Sequence, residues 1–144
     1  MQNKYEQADK LGRSLIISLF SHIPLTEGKV EDVFDLSGST KGNFYLEVKN
    51  RPDLKSTAYN TDILEYHKLS NLRNIDRNAT HFYAMIFADG VVRIYNLKEI
   101  SIMDVYLSNL LCPVSNLDDR GFKEKLMIDL PASKAKTYKL KLPC

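Results

Sequence analysis

From about Tyr5 to Ser21 the apolar residues Ala8, Leu11, Leu15 and Leu19 recur at three-to-four spacing. That period predicts an amphipathic helix, and its second half, apolar nearly all round over Leu15–Phe20, predicts one packed under a sheet. The period then shortens. Val30–Leu36 is rich in Val and Phe, SGSTKGN is turn chemistry, and Phe44, Leu46 and Val48 alternate with Tyr45, Glu47 and Lys49. This predicts a hairpin with one polar face. Helical spacing returns from Thr61 to about Ile75, with Asn60 or Thr61 as N-cap and Asp62 and Glu65 in the first turn, where the macrodipole favours acids. His81–Phe87 and Val91–Leu97 flank Ala88-Asp89-Gly90 and predict a second hairpin. Ile100–Leu111 reads as a further helix stopped before Pro113, with LMIDL and TYKLKL as short strands.

The order helix, strand, strand, helix, strand, strand predicts an α+β fold. Its form is a three-layer α/β/α arrangement in which the two helices cover opposite faces of a small mixed sheet. A chain of 144 residues fits a single domain, with the core over about 5–96 and a C-terminal extension, 97–144, packed on it. With 44% hydrophobic and 26% charged residues, disordered and fibrous classes are excluded. Leu15–Phe20 is too short to span a bilayer, so no membrane role is expected. Cys112 and Cys144 have neither metal-ligand nor disulfide-framework spacing, which points to a reducing cytoplasm. Net charge is only +2, but from Gly121 onward Lys123, Lys125, Lys134, Lys136, Lys139 and Lys141 oppose only Glu124 and Asp129. A basic end of this kind suits phosphate contact, although solvated lysines explain it equally well.

Parity along the first hairpin picks out the candidate chemistry. With Ser37–Asn43 as the loop, Leu36 faces Phe44 and Asp35 faces Tyr45, so Asp35 and Glu47 share a face as diagonal neighbours. A two-residue slip would set them directly opposite. Asp32 has the other parity and ranks below Asp35. Two carboxylates with a backbone carbonyl and waters suit a small hard cation such as Mg²⁺. Lys49 follows on the same face, where an ammonium can orient the attacking water and offset charge on a phosphate. Glu-x-Lys alone is weak, since Glu27-Gly28-Lys29 fits it too. Its setting inside an apolar strand, after a strand bearing Asp35, is what raises it. Lys68 lies in the stripe Leu64, Lys68, Leu72, Ile75, an unusual place for lysine unless its head snorkels to water or meets a carboxylate.

FDLSGSTKGNFYLEVKNR followed by EYHKLSNL resembles the PD-(D/E)XK nuclease superfamily over roughly residues 5–96, with Phe34 where the motif's Pro often stands. The resemblance implies a restriction-endonuclease-like core and an endonuclease hydrolysing nucleic acid, DNA first. In that reading Asp35, Glu47 and the Val48 backbone carbonyl hold Mg²⁺, for which Mn²⁺ can substitute. Lys49 is catalytic, Lys68 assists from the next helix, and Glu6 is the first-helix acid that many members use at the metal. Arg51 is a candidate phosphate contact. Junction-cutting relatives imply a homodimer. The competing expectation is the same fold without hydrolysis, binding nucleic acid or a protein partner.

Overall fold

The computed structural model describes residues 3–29, 32–101, 103, 105–113 and 122–141. Helix α1 (Lys4–Leu19) starts at Asn3, whose side-chain oxygen accepts the Glu6 N–H at 2.8 Å. Its inward stripe is Gly12 and Ile16, flanked by half-buried Leu15 and Leu19, whereas Leu11 is exposed. The buried face is thus turned slightly from the one the leucine spacing predicts, because Gly12 lets the helix backbone approach the sheet. A β-carbon there would lie 3.0 Å from Asn50 Cβ and 3.4 Å from Val48 Cγ1.

Strands β1 (Thr26–Glu27), β2 (Leu36–Ser39), β3 (Asn43–Arg51), β5 (Thr80–Phe87), β6 (Val91–Asn96) and β9 (Lys136–Lys139) form a mixed six-stranded sheet in the order β1-β2-β3-β5-β6-β9. Among the described residues only β3 and β5 run parallel, joined by a crossover that includes strand β4 (Thr61–Glu65) and helix α2 (Tyr66–Ile75). Strand β4 belongs to a second sheet, β4-β8-β7, with β7 at Tyr106–Pro113 and β8 at Phe122–Pro131. The described residues therefore form a mixed α/β fold, a six-stranded and a three-stranded sheet with two helices, compatible with the α+β expectation.

Helix α1 covers one face of the large sheet, where Ile16 meets Leu36, Leu46, Val48, Ala84 and Ile86. Helix α2 and the small sheet cover the other, packing Leu69, Leu72 and Ile128 against Tyr83, Met85 and Tyr95. The opposite-face placement of the two helices holds.

Four expectations are corrected. Residues 61–65 are strand, so neither Asn60 nor Thr61 caps a helix, and α2 begins after Glu65. Ile63 and Leu64 extend the chain to pair with Asp129 and Ile128 of β8, a nonlocal contact that overrides helical spacing. Residues 106–113 are strand rather than the end of a helix, because all eight pair with residues 122–129 of β8. Within the expected strand Val30–Leu36, the described residues before Leu36 are irregular, while Val30 and Glu31 lie outside the described residues, as does Cys144. Finally, β2 pairs with β3 as Leu36↔Leu46 and Ser37↔Tyr45, two residues from the diagonal register, because the loop is the tighter Thr40-Lys41-Gly42.

The C-terminal extension contributes strands to both sheets. Strand β9 borders the large sheet and β8 is the centre of the small one. Among the described residues no helix is long and apolar enough to cross a membrane.

Candidate active site

Strand β3 outruns its neighbour β2. Asn43 to Leu46 are paired with β2, but the strand continues to Arg51, leaving a notch in that edge beyond Leu46. Asp35, immediately before β2, fills the notch from below. Its N–H donates to the Leu46 carbonyl at 2.9 Å, and its Oδ2 accepts the Val48 N–H at 2.7 Å. A strand residue presents its N–H and C=O to the same side, so the Val48 carbonyl projects into the notch beside Asp35. In this register Asp35 comes level with Glu47, the directly opposed arrangement.

Along β3, Phe44, Leu46, Val48 and Asn50 are buried while Tyr45, Glu47, Lys49 and Arg51 are half-buried, as alternation requires. Glu47 therefore points to the face that α2 covers. Lys68, in the first turn of α2, donates its Nζ proton to Glu47 Oε1 at 2.9 Å. Starting the helix at Tyr66 rather than Thr61 leaves Lys68 near its N-terminal end, directly above β3.

From the other face, α1 brings two residues to the same notch. Asp9 Oδ1 lies 3.8 Å from Lys49 Nζ, and Arg13 Nη1 lies 3.8 Å from Asp35 Oδ1. Asn50 clamps the helix there, its Nδ2 donating to the Ala8 carbonyl at 3.0 Å.

This concentration of charge tilts protonation. Burial raises the Asp35 carboxyl above its ordinary range, against the Val48 hydrogen bond and the Arg13 charge. Burial likewise pushes Glu47 up to about 7, with Lys68 opposing and Asp35 and Asp9 adding repulsion. Lys68 is raised too. Burial works against its ammonium, yet Glu47, then Glu65 and Asp35, outweigh it. The two ends of the Glu47–Lys68 bond thus shift in senses that look opposed, one ion disfavoured and the other favoured. They agree once the surroundings are counted, since Lys68 sees three carboxylates while Glu47 sees one close cation and two further acids. Burial disfavours the Glu47 charge, whereas the three carboxylates hold the Lys68 proton.

The repulsion between Glu47 and Asp35 is what a divalent cation would relieve. Asp35, Glu47 and the Val48 carbonyl would offer a hard cation such as Mg²⁺ oxygen donors only. Among the described residues no three His, Cys, Asp or Glu side chains gather as a metal cluster, so such an ion would rest on two carboxylates and keep most of its water.

The structure thus brings together Asp35, Glu47, Val48, Lys49 and Lys68. Arg51 lies one further alternate position along β3, lining both a small recess with Glu47 and Lys68 and a larger cleft beside it. Glu6 is exposed in the first turn of α1, and the first-helix acid at the site is Asp9. Asp32 is likewise exposed, accepting the Lys29 N–H at 2.7 Å. Sequence reasoning passed over Asp9 and missed Arg13. Gly12 between them was the available signal: a glycine inside a helix costs about 1 kcal/mol against Ala and so marks a close approach. No family model, curated protein or solved structure matches the chain.

Proposed function

We propose that this chain is a Mg²⁺-dependent endonuclease with a restriction-endonuclease-like core, hydrolysing phosphodiester bonds of nucleic acid, DNA first. The observation that carries the reading is that Asp35 is bonded to Val48, next to Glu47 on β3, with Lys68 bonded to Glu47 and Lys49 on the same side of the strand. Asp35, Glu47 and the Val48 carbonyl would hold Mg²⁺, which would supply Lewis acidity. Lys49, kept near the notch by Asp9, orients the attacking water and offsets charge on the phosphate oxygens. Lys68 swings its ammonium between Glu47 and the scissile phosphate. Water adds to phosphorus, the bond to the leaving oxygen breaks, and a phosphomonoester and a hydroxyl result. Cutting both strands of a duplex or junction would need two sites, hence a homodimer.

A binding module without hydrolysis is favoured by one observation, that Asp35 and Glu47 already have basic partners in Arg13 and Lys68. The test is cleavage of labelled single-stranded, duplex and branched DNA with Mg²⁺, for the wild type and for Asp35→Ala, Glu47→Gln and Lys49→Ala. Each substitution is expected to cut the rate on the order of a hundredfold or more with circular dichroism unchanged. Cleavage surviving in all three would overturn the assignment.

A further inference from the structure

A cleft of about 790 Å³ opens beside the notch, walled by the first turns of α1, the end of β3, the loop 52–60 and the start of β4. Lys49, Arg51 and Ile63 line both this cleft and the recess that holds Glu47 and Lys68, so the two are one continuous surface. On its walls stand Tyr5 and Tyr59, 64% and 66% exposed. Lys4 lies over the Tyr5 ring at 5.4 Å from its centroid, so a cation and an aromatic face arrive together.

We infer that this cleft binds single-stranded nucleic acid, with unpaired bases stacking on Tyr5 and Tyr59 and the phosphates meeting Lys4, Lys49 and Arg51. This rests on the nuclease reading for its consequence, which is that the scissile bond lies in an unpaired segment.

The volume is that of small-molecule pockets, room for about one or two nucleotides and none for a duplex. Every base offers a π-face, so tyrosines standing in solvent beside cations form a stacking platform without sequence preference. Charge alone does not drive binding. Asp9, Asp53 and Asp62 share the lining, although Asp9 faces Lys49, and Asp62 is bonded to Arg93 and Tyr95. Stacking therefore carries the affinity. The salt dependence is shallow, with log K falling at a slope of about −2 against log salt for three phosphates.

The test is fluorescence anisotropy of labelled oligo(dT) and of a hairpin duplex in EDTA, where no cleavage interferes. Oligo(dT) is expected to bind at least about tenfold tighter than duplex, and Tyr5→Ala and Tyr59→Ala each to weaken it on the order of tenfold. Tyr5→Phe and Tyr59→Phe keep the ring and are expected to bind as wild type. Both tyrosines are exposed, so their replacement leaves the core intact. Equal binding of duplex, no binding of either probe, or an unweakened double alanine variant would overturn the inference. Cleavage that still depends on Asp35 and Glu47 would then leave the nuclease reading standing. Tyrosine-dependent oligo(dT) binding without Mg²⁺-dependent cleavage by any substrate would do the reverse.

Discussion

Glu47 concentrates the physical conflict of the site. Its carboxylate is mostly buried, bonded to one ammonium, and faces Asp35 and Asp9. The folded protein holds the Glu47 proton up to about 7, above the ordinary 4.5 of the unfolded chain. Protonation is thus favoured by folding, and the stability this group contributes is complete below about pH 4.5 and lost as pH rises through about 7. At about 1.4 kcal/mol per pK unit, discounted for residual solvent, the loss is roughly 2 kcal/mol. Glu47→Gln removes the titration while keeping an oxygen for Lys68, so its stability relative to wild type should improve between pH 5 and pH 8 by about that amount. Urea unfolding at the two pH values measures it, and equal differences would show that Glu47 titrates normally. Adding Mg²⁺ at pH 8 should restore stability to wild type and not to the variant, since a ligand stabilises only the state that binds it.

At the scale of elements, α1 is fixed over the notch by Gly12 and Asn50. Asn50 is buried, and its side chain satisfies the Ala8 carbonyl across 42 residues of sequence. Asn50→Ala leaves that link broken and is expected to cost about 1–3 kcal/mol in thermal or urea unfolding. Gly12→Val pushes branched carbons into Asn50 and Val48 and is expected to cost at least as much, about 1–3 kcal/mol, by forcing α1 outward. Because Asp9 and Arg13 ride on that helix, both variants should also lose cleavage beyond what unfolding explains.

The same elements explain what was legible in the sequence. Phe44–Lys49 and the Ala88-Asp89-Gly90 turn were readable because alternation and a left-handed glycine, Gly90 at φ 80°, are local signals. Glu47, Lys49 and Lys68 followed from that alternation and from one lysine out of place. Strand β4 was not readable, since TDILE takes strand form only through pairing with β8 more than sixty residues later. Of the two registers the sequence left open, the directly opposed one forms because the loop is the short Thr40-Lys41-Gly42, and since both share a parity Asp35 keeps its side.

At the scale of the whole molecule, the two sheets are tied together at Asp62, and that tie also shapes the cleft. Arg93 of β6 donates to both Asp62 oxygens, at 3.1 and 3.3 Å, and to the Ser56 carbonyl, while its guanidinium lies over the Phe87 ring. Tyr95 donates to Asp62 Oδ2, and Asp89, in the β5–β6 turn, accepts from the Ser56 hydroxyl at 2.6 Å. The large sheet thus grips β4 through the buried Asp62 carboxylate, and the loop 52–60, which carries Tyr59, through Arg93 and Asp89. Asp62→Ala strands the Arg93 charge in an apolar setting and is expected to cost about 3–5 kcal/mol. Replacing both ions, Asp62→Leu with Arg93→Met, removes the stranded charge and should restore most of the loss, since a buried ion pair is near neutral against hydrophobic residues. The double variant then separates stability from positioning. Its Ser56 carbonyl has lost the arginine, so amide exchange should quicken across residues 52–60 while α1 and β3 stay protected. Equal protection of the loop in wild type and double variant would mean that the cleft wall is held by Asp89 and its own turns rather than by the tie between the sheets.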